Sequence, residues 1–345
     1  MQEGITIVMQ TQTRTRNITI DACKGLAIIL VMLGHCIVLN GLQDGLLYDA
    51  IKAIQMPFFM MISGYLVSAS PRSHKIGELG KRICQRAVGY LLPFFSWIIL
   101  LHPTSIVEST RTILFQLDKG LWFLMVLFLL TLVMYLALYT AEHTKLSLVG
   151  FCMIWLLFVG LLLYQTAIGN HFLSPHLTLY QLPFYLGGFL VHEIAVRIQP
   201  SFGGSVPFKR GITVVAVSIL FLGLIIGYDM IVAHNKIELG LQFLAGFAGC
   251  FICYNMIQLL PYGKLKKALA YIGQFTLEIY VLHYHFATVL PFGGRGFKLW
   301  SVQGILWVMA AFTLMSIGTA IGLFILKRFR ITNLLLFGKH NQIRN

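Results

Sequence analysis

Two ionisable side chains stand out in KGLAIILVMLGHC, residues 24–36: Lys24 opens the segment and His35 follows eleven positions later. Eleven residues of α-helix turn through about 1100°, three turns plus roughly 20°, and rise about 16 Å, so both side chains share one face. A neutral imidazole takes a proton from a hydroxyl near pH 7, which suits His35 to general-base chemistry. The plainer readings are a snorkelling Lys24 that fixes topology and a His35 that hydrogen-bonds a neighbouring helix.

A second group lies in TLEIYVLHYHF, residues 276–286. Glu278 and His285 are seven apart and share a helical face, while His283 is turned away by about 100° or more. Counted from a helix start near Ala270, Glu278 lies about 11 Å deep and His283 about 18 Å deep, level with His35. A carboxylate at such depth is costly, so Glu278 is expected either to serve function or to form an interhelical bond. In GKRICQRAVGYLLPFF, residues 80–95, Arg82 and Arg86 are four apart on one face, where guanidinium forks can hold phosphate. The competing reading of that pair is topological anchoring. Trp122, in LWFL at 121–124, reads by itself as an aromatic belt residue.

The elements that position these groups follow from composition. With 57% hydrophobic and 11% charged residues among 345, and a mean hydropathy of +0.79, the chain is far from a soluble domain, where charged residues make up about a quarter. The expected fold class is all-α: a polytopic integral membrane protein with about ten transmembrane helices. Apolar runs fall at 22–40, 51–69, 87–102, 120–139, 146–165, 176–195, 211–228, 239–260, 270–290 and 301–326. Runs of this length are helices rather than barrel strands, which show alternating segments of about ten residues.

A cytoplasmic N-terminus followed by ten crossings leaves only Lys52, Arg111, Lys119, Lys236, Arg295 and Lys298 outside, out of 26 Lys and Arg. That asymmetry follows the positive-inside rule and predicts that both termini are cytoplasmic. It also accounts for the net charge of +14 through topology and anionic headgroups, and leaves nucleic-acid binding without support. One membrane domain, 1–345, is expected, with a cytoplasmic segment at 1–20 and a basic tail at 327–345. The polar first twenty residues show no removable signal peptide, so the first span is expected to serve as an uncleaved anchor.

Six cysteines lie in or beside the spans and behave as small hydrophobes. The Cys250 and Cys253 spacing resembles a redox motif but falls within one apolar run. Neither a phosphate-binding glycine loop nor a zinc signature is present, and metal binding is not expected. Internal repeats are not evident, which weakens an inverted-repeat transporter reading.

The ordered strings NITIDACKGLAIILVMLGHC (17–36), QMPFFMMISGYL (55–66), KRICQRAVGYLLPFF (81–95), LWFLMVLF (121–128), YQLPFYLGGFL (180–190) and TLEIYVLHYHF (276–286) resemble acyltransferase family 3, membrane enzymes that acylate cell-surface sugars. Its hallmark is a basic residue followed after ten others by a histidine in the first span, matched by Lys24 and His35. Lysine keeps the charge of the family's frequent arginine but lacks its planar fork. Arg82 and Arg86 resemble the family's arginine-rich segment, with a different spacing from the tight pairs of some members. Trp122 and His283 match recurring family positions.

The resemblance implies a cytoplasmic-membrane O-acyltransferase with acyl-CoA, by family default acetyl-CoA, as donor co-substrate and no permanently bound cofactor. Its partners would be membrane lipids and a surface glycan or lipid-linked sugar acceptor, with homo-oligomer formation left open. Arg82 and Arg86 would hold CoA phosphates, His35 would take the acceptor proton or carry the acyl group, and Trp122 would contact substrate. Lys24 would hold donor phosphate or a partner such as Asp21; Glu278 would orient a histidine or bind acceptor hydroxyls. The rival class is a transporter or flippase for a lipid-linked glycan.

Overall fold

A computed structural model describes residues 16–42, 45–198, 207–289 and 297–339. Thirteen α-helices form among these residues, with a short 3-10 turn at Leu117–Lys119 and no strand. Arg14, Arg295 and Arg344, used above to orient the chain, lie outside the described residues.

Lipid offers no hydrogen-bond partner to a bare backbone, so the apolar runs close their bonds as helices. Asn17 starts α1 (Ile18–Leu39): its side-chain oxygen accepts from the amides of Thr19 at 3.0 Å and Ile20 at 3.3 Å. After α2 (Leu46–Ser68) and α3 (Ile76–Leu101) come the short α4 (Ile106–Phe115) and then α5 (Trp122–His143) and α6 (Ser147–Ala167). Next are α7 (Pro175–Ile198), α8 (Pro207–Gly227) and α9 (Lys236–Leu259). The chain ends with α10 (Lys264–Ile272), α11 (Thr276–Val289), α12 (Val302–Arg328) and α13 (Arg330–Phe337).

Seven of these helices, α1, α2, α3, α5, α6, α9 and α12, are long and apolar enough to cross a membrane. The protein is therefore an all-α, multi-pass membrane protein with about seven long apolar helices. The other three anticipated runs are also helical but fall short in different ways. The apolar part of α8 is the shorter stretch Gly211–Gly227, and α7 carries His176, His192 and Glu193.

The run anticipated as one helix over 270–290 is broken into α10 and α11 at 273–275. Its physical cause is a backbone approach. A Cβ on Gly25 would collide with the carbonyl oxygen of Leu269, and one on Gly273 with that of Asp21. Two glycines thus let the end of α10 press against the first turns of α1, and the chain turns there before α11 begins.

At the centre lies α2, which touches α1, α5, α7, α8 and α9. Its tightest crossing is with α7, where added Cβ atoms on Gly64 and Gly188 would strike the carbonyls of Tyr185 and Met61. Small residues at a membrane crossing bring backbones together where no hydrophobic force acts between helices. Beyond it, Ser68 Oγ donates to Glu193 at 2.7 Å and accepts from His192 Nδ1 at 2.8 Å, and Arg72 pairs with Glu193 at 2.7 Å. These contacts lock α2 and α7 side by side in the same direction.

Candidate functional site

The first turns of α1 carry a charged cluster. Asp21 is buried, and its carboxylate is bonded by Arg16 and, at 3.2 Å, by Lys24. A cavity of about 400 Å³ opens here, lined by Arg16, Asp21, Lys24, Tyr65 and Leu66. Lys24 and Leu66 also line a second, inner chamber of about 210 Å³, together with Arg86, Tyr90, Phe123 and Tyr280. Lys24 thus stands on the boundary between mouth and interior.

Arg86 reaches this inner chamber from α3. Its Nε donates to the Tyr135 hydroxyl at 3.1 Å and one terminal nitrogen to the Tyr90 hydroxyl at 3.3 Å. Both partners are neutral, and among the described residues no carboxylate pairs with Arg86. A guanidinium in a membrane interior without a counter-charge is a ready site for an anionic group. Arg82, one turn earlier, is occupied differently: it donates to the carbonyl oxygens of Pro71 and, at 3.3 Å, Arg72. Of the expected arginine pair, Arg86 enters the chamber beside Lys24, while Arg82 clasps the α2–α3 loop.

Deeper along α1, the half-buried His35 meets α11. Its ring centroid lies 5.2 Å from that of His283 and 5.2 Å from that of Tyr284. The equal depths computed from helical rise are thus realised as a ring contact. His283 is 1% exposed and bonds the Ile279 carbonyl through Nδ1 at 2.8 Å. A carbonyl only accepts, so Nδ1 carries the proton and Nε2 keeps its lone pair. That Nε2 is buried and has no hydrogen-bond partner among the described residues. It is a base with its orientation already set.

Tyr280 connects this pair to the chamber. Its ring is 6.2 Å from that of His283, and its hydroxyl accepts from the Phe123 amide at 3.3 Å. Neighbouring Trp122 begins α5 and faces a third cavity of about 320 Å³, lined also by Lys52, Gln55, Tyr180, Gln181 and Gln242. Three cavities therefore lie between the Lys24 end and the Trp122 end, and neither His35 nor His283 is among the residues that line them.

Glu278 is placed away from this path. Its side chain is fully buried, and Oε1 accepts from Lys327 at 3.2 Å and Lys339 at 2.6 Å. That carboxylate ties α11 to the end of α12 and to the segment after α13. His285 stacks on Trp97 of α3 at 4.7 Å.

Sequence reasoning missed Tyr280, the two phenols around Arg86, and the paired glutamines. The glutamines had a signal: Gln55-Met56-Pro57-Phe58 and Gln181-Leu182-Pro183-Phe184 are matching strings, each with a polar side chain two residues before a proline inside a helix. The tyrosines had none, since a tyrosine in an apolar run looks like belt or core.

The acyltransferase domain model of acyltransferase family 3 matches residues 17–327. Over 97 residues the chain is 34% identical to the nodulation protein NolL of Sinorhizobium fredii (strain NBRC 101917 / NGR234), covering 26% of this chain and 26% of that protein. The match thus spans about a quarter of that relative's length. No solved structure matches the chain. The domain match runs from the N-cap of α1 almost to the end of α12 and contains Lys24, Arg86, the facing histidines and Trp122, so this multi-pass membrane protein belongs to acyltransferase family 3.

Proposed function

We propose that the protein moves an acetyl group from cytoplasmic acetyl-CoA to a sugar hydroxyl of a surface glycan or of its lipid-linked precursor. The observation that carries this reading is the inner chamber, where Lys24 and the uncompensated Arg86 meet one layer, Tyr280, away from His283 and His35. In this reading α7, α8 and the α10–α11 pair complete ten crossings, and both termini face the cytoplasm. The Lys24 end is then the cytoplasmic face, in agreement with Arg72 and Lys75 between α2 and α3 and with Lys81 and Arg82 in the first turns of α3.

Donor phosphates are too charged for lipid and stay with Lys24, Arg86 and the adjoining mouth, while the pantetheine arm extends inward. Arg82 supports them indirectly by fixing the loop at that mouth. The acceptor oxygen attacks the thioester carbonyl carbon, its proton passes to a histidine nitrogen, the C–S bond breaks, and the thiolate leaves to be protonated. His35 is the base on the acceptor side, and His283, whose tautomer is fixed, is its relay. An acyl-histidine on His35 satisfies the same geometry in two steps. Trp122 lines the acceptor's approach, and Glu278 acts from a distance by holding α11 in register.

Mass spectrometry of surface glycans from cells with and without the gene tests the reading. A mass difference of one acetyl group per modified residue is expected, with label from acetyl-CoA recovered in the glycan. Unchanged glycan masses together with unconsumed acetyl-CoA would overturn it in favour of glycan transport, which uses no acyl donor.

A further inference from the structure

From the cavity at the Trp122 end we infer a built subsite for a polyhydroxylated sugar ring, in which the side-chain oxygens of Gln55 and Gln181 accept its hydroxyls and set which hydroxyl reaches His35. This deepens the acyl-transfer reading and rests on it.

The chamber's volume of about 320 Å³ falls at the lower end of the ~300–1,000 Å³ range of small-molecule sites. Its chemistry is specific. Gln55 is 8% exposed and Gln181 3% exposed, yet the Oε1 of each is buried without a hydrogen-bond partner among the described residues. Native proteins seldom leave buried amide oxygens unpaired, because the lost hydration is not recovered. The contrast with Asn40, near the same end, is instructive: it donates to the Cys36 carbonyl at 2.6 Å and accepts from Trp307 Nε1 at 2.9 Å. Asn40 is structural, whereas the two glutamines keep acceptors for something that donates.

The donor they await carries hydroxyls. Carboxylates are absent from the lining, so a cation is not the ligand. Trp122 and Tyr180 offer aromatic faces, and Tyr180 is held by stacking on Phe243 at 5.2 Å. A pyranose presents an apolar C–H face to such rings and hydroxyls at its edge to the amides. Lys52 and His176 are exposed at the opening, where they suit an acidic substituent or a linking phosphate.

Gly34 connects the subsite to the chemistry. A Cβ there would fall 2.7 Å from Gln55 Oε1, so glycine leaves room for that amide to lie against α1 one residue before His35. Gln55 thus packs against the residue that precedes His35 on α1, which is what links this proposed subsite to the histidine. Gln181 fixes the ring from the side of α7, and the α2–α7 lock holds the two amides at constant separation.

The test uses the full chain in detergent or nanodiscs and, as probe, glycan isolated from cells lacking the gene. Binding is read from the Trp122 fluorescence change, taken as the difference between wild type and Trp122→Phe, and transfer from labelled acetyl-CoA. Gln55→Leu and Gln181→Leu are each expected to raise the glycan Kd and acceptor KM about five- to tenfold, the scale of one neutral hydrogen bond. Donor KM should stay constant. Gln181→Glu, which keeps an accepting oxygen, should recover most of the affinity. Unchanged glycan Kd and acceptor KM in both Leu variants would overturn the subsite while leaving acyl transfer intact. Saturable glycan binding that both Leu variants weaken, without any consumption of acetyl-CoA, would uphold the subsite and sink the acyl-transfer reading.

Discussion

Arg82 and Arg86 are four residues apart on one helical face, and the structure gives them different duties, so their substitution should separate them. The guanidinium of Arg86 has five N–H donors, and two are bonded to the Tyr135 and Tyr90 hydroxyls. The remaining donors and the full charge are available to an anion in the chamber. A hydrogen bond to a charged partner contributes about 1.5–3 kcal/mol, and each ~1.4 kcal/mol is a factor of ten in affinity. Arg86→Gln should therefore raise the KM for acetyl-CoA about 10- to 150-fold. Because the phosphates are remote from the reacting carbonyl, kcat at saturating donor should change little.

Arg82→Gln should leave donor KM within about twofold, since what it loses is two carbonyl contacts in a loop rather than binding to substrate. Arg86→Lys should recover only part of the affinity, because an ammonium keeps the charge but cannot bond both phenols and a phosphate in one plane. Initial rates with labelled acetyl-CoA at saturating acceptor decide the matter, with donor binding by calorimetry as a check independent of turnover. Equal losses of donor affinity from Arg82→Gln and Arg86→Gln, or none from Arg86→Gln, would refute the division of duties and with it the placement of the donor beside Lys24.

Three further expectations follow from the same geometry. His35→Ala should insert and bind donor normally but lose transfer about 100-fold or more, the scale of a catalytic proton-transfer group; His35→Gln should be equally impaired, and near wild-type transfer by the Gln variant would remove His35 from the chemistry. Glu278→Gln leaves Lys327 and Lys339, 30% and 42% exposed, without their carboxylate, and losing a charge-assisted hydrogen bond costs about 1.5–3 kcal/mol, so folded protein in the membrane should fall while kcat per folded molecule stays close to wild type; normal abundance with lost kcat would reassign Glu278 to the active site. A reporter fused after Asn345 should signal cytoplasm and one inserted near Asn235 the opposite side, and reversed signals at both would invert the proposed donor route.

The helices were legible because lipid leaves a long apolar run no alternative, and the Lys24–His35 spacing was legible because helical rise is the same everywhere. The depth of His283 followed from that arithmetic too. What escaped depended on partners distant in sequence. The break between α10 and α11 is set by Gly25, more than two hundred residues earlier, and nothing local in 264–275 announces which backbone will press on it. Glu278 was placed among histidines by its neighbours on α11, but its actual partners are Lys327 and Lys339, 49 and 61 residues onward.

The two glutamines illustrate the harder case, because sequence strings containing both were in view and still carried no chemistry. An uncharged amide in an apolar run attracts less notice than a lysine or a histidine, and its meaning depends on whether its oxygen finds a partner once the helices pack. Asn40 finds one and becomes structure, while Gln55 and Gln181 find none among the described residues and remain acceptors. In the proposed reading the charged residues mark where an acyl donor is held, and the unsatisfied neutral ones mark where an acceptor is recognised. His35 lies between these two regions, on the face of α1 that Lys24 begins and one residue beyond the glycine that admits Gln55. On the proposed mechanism the same short segment of α1 serves both substrates, and this would require its basic residue and its histidine to keep a fixed separation along one helix.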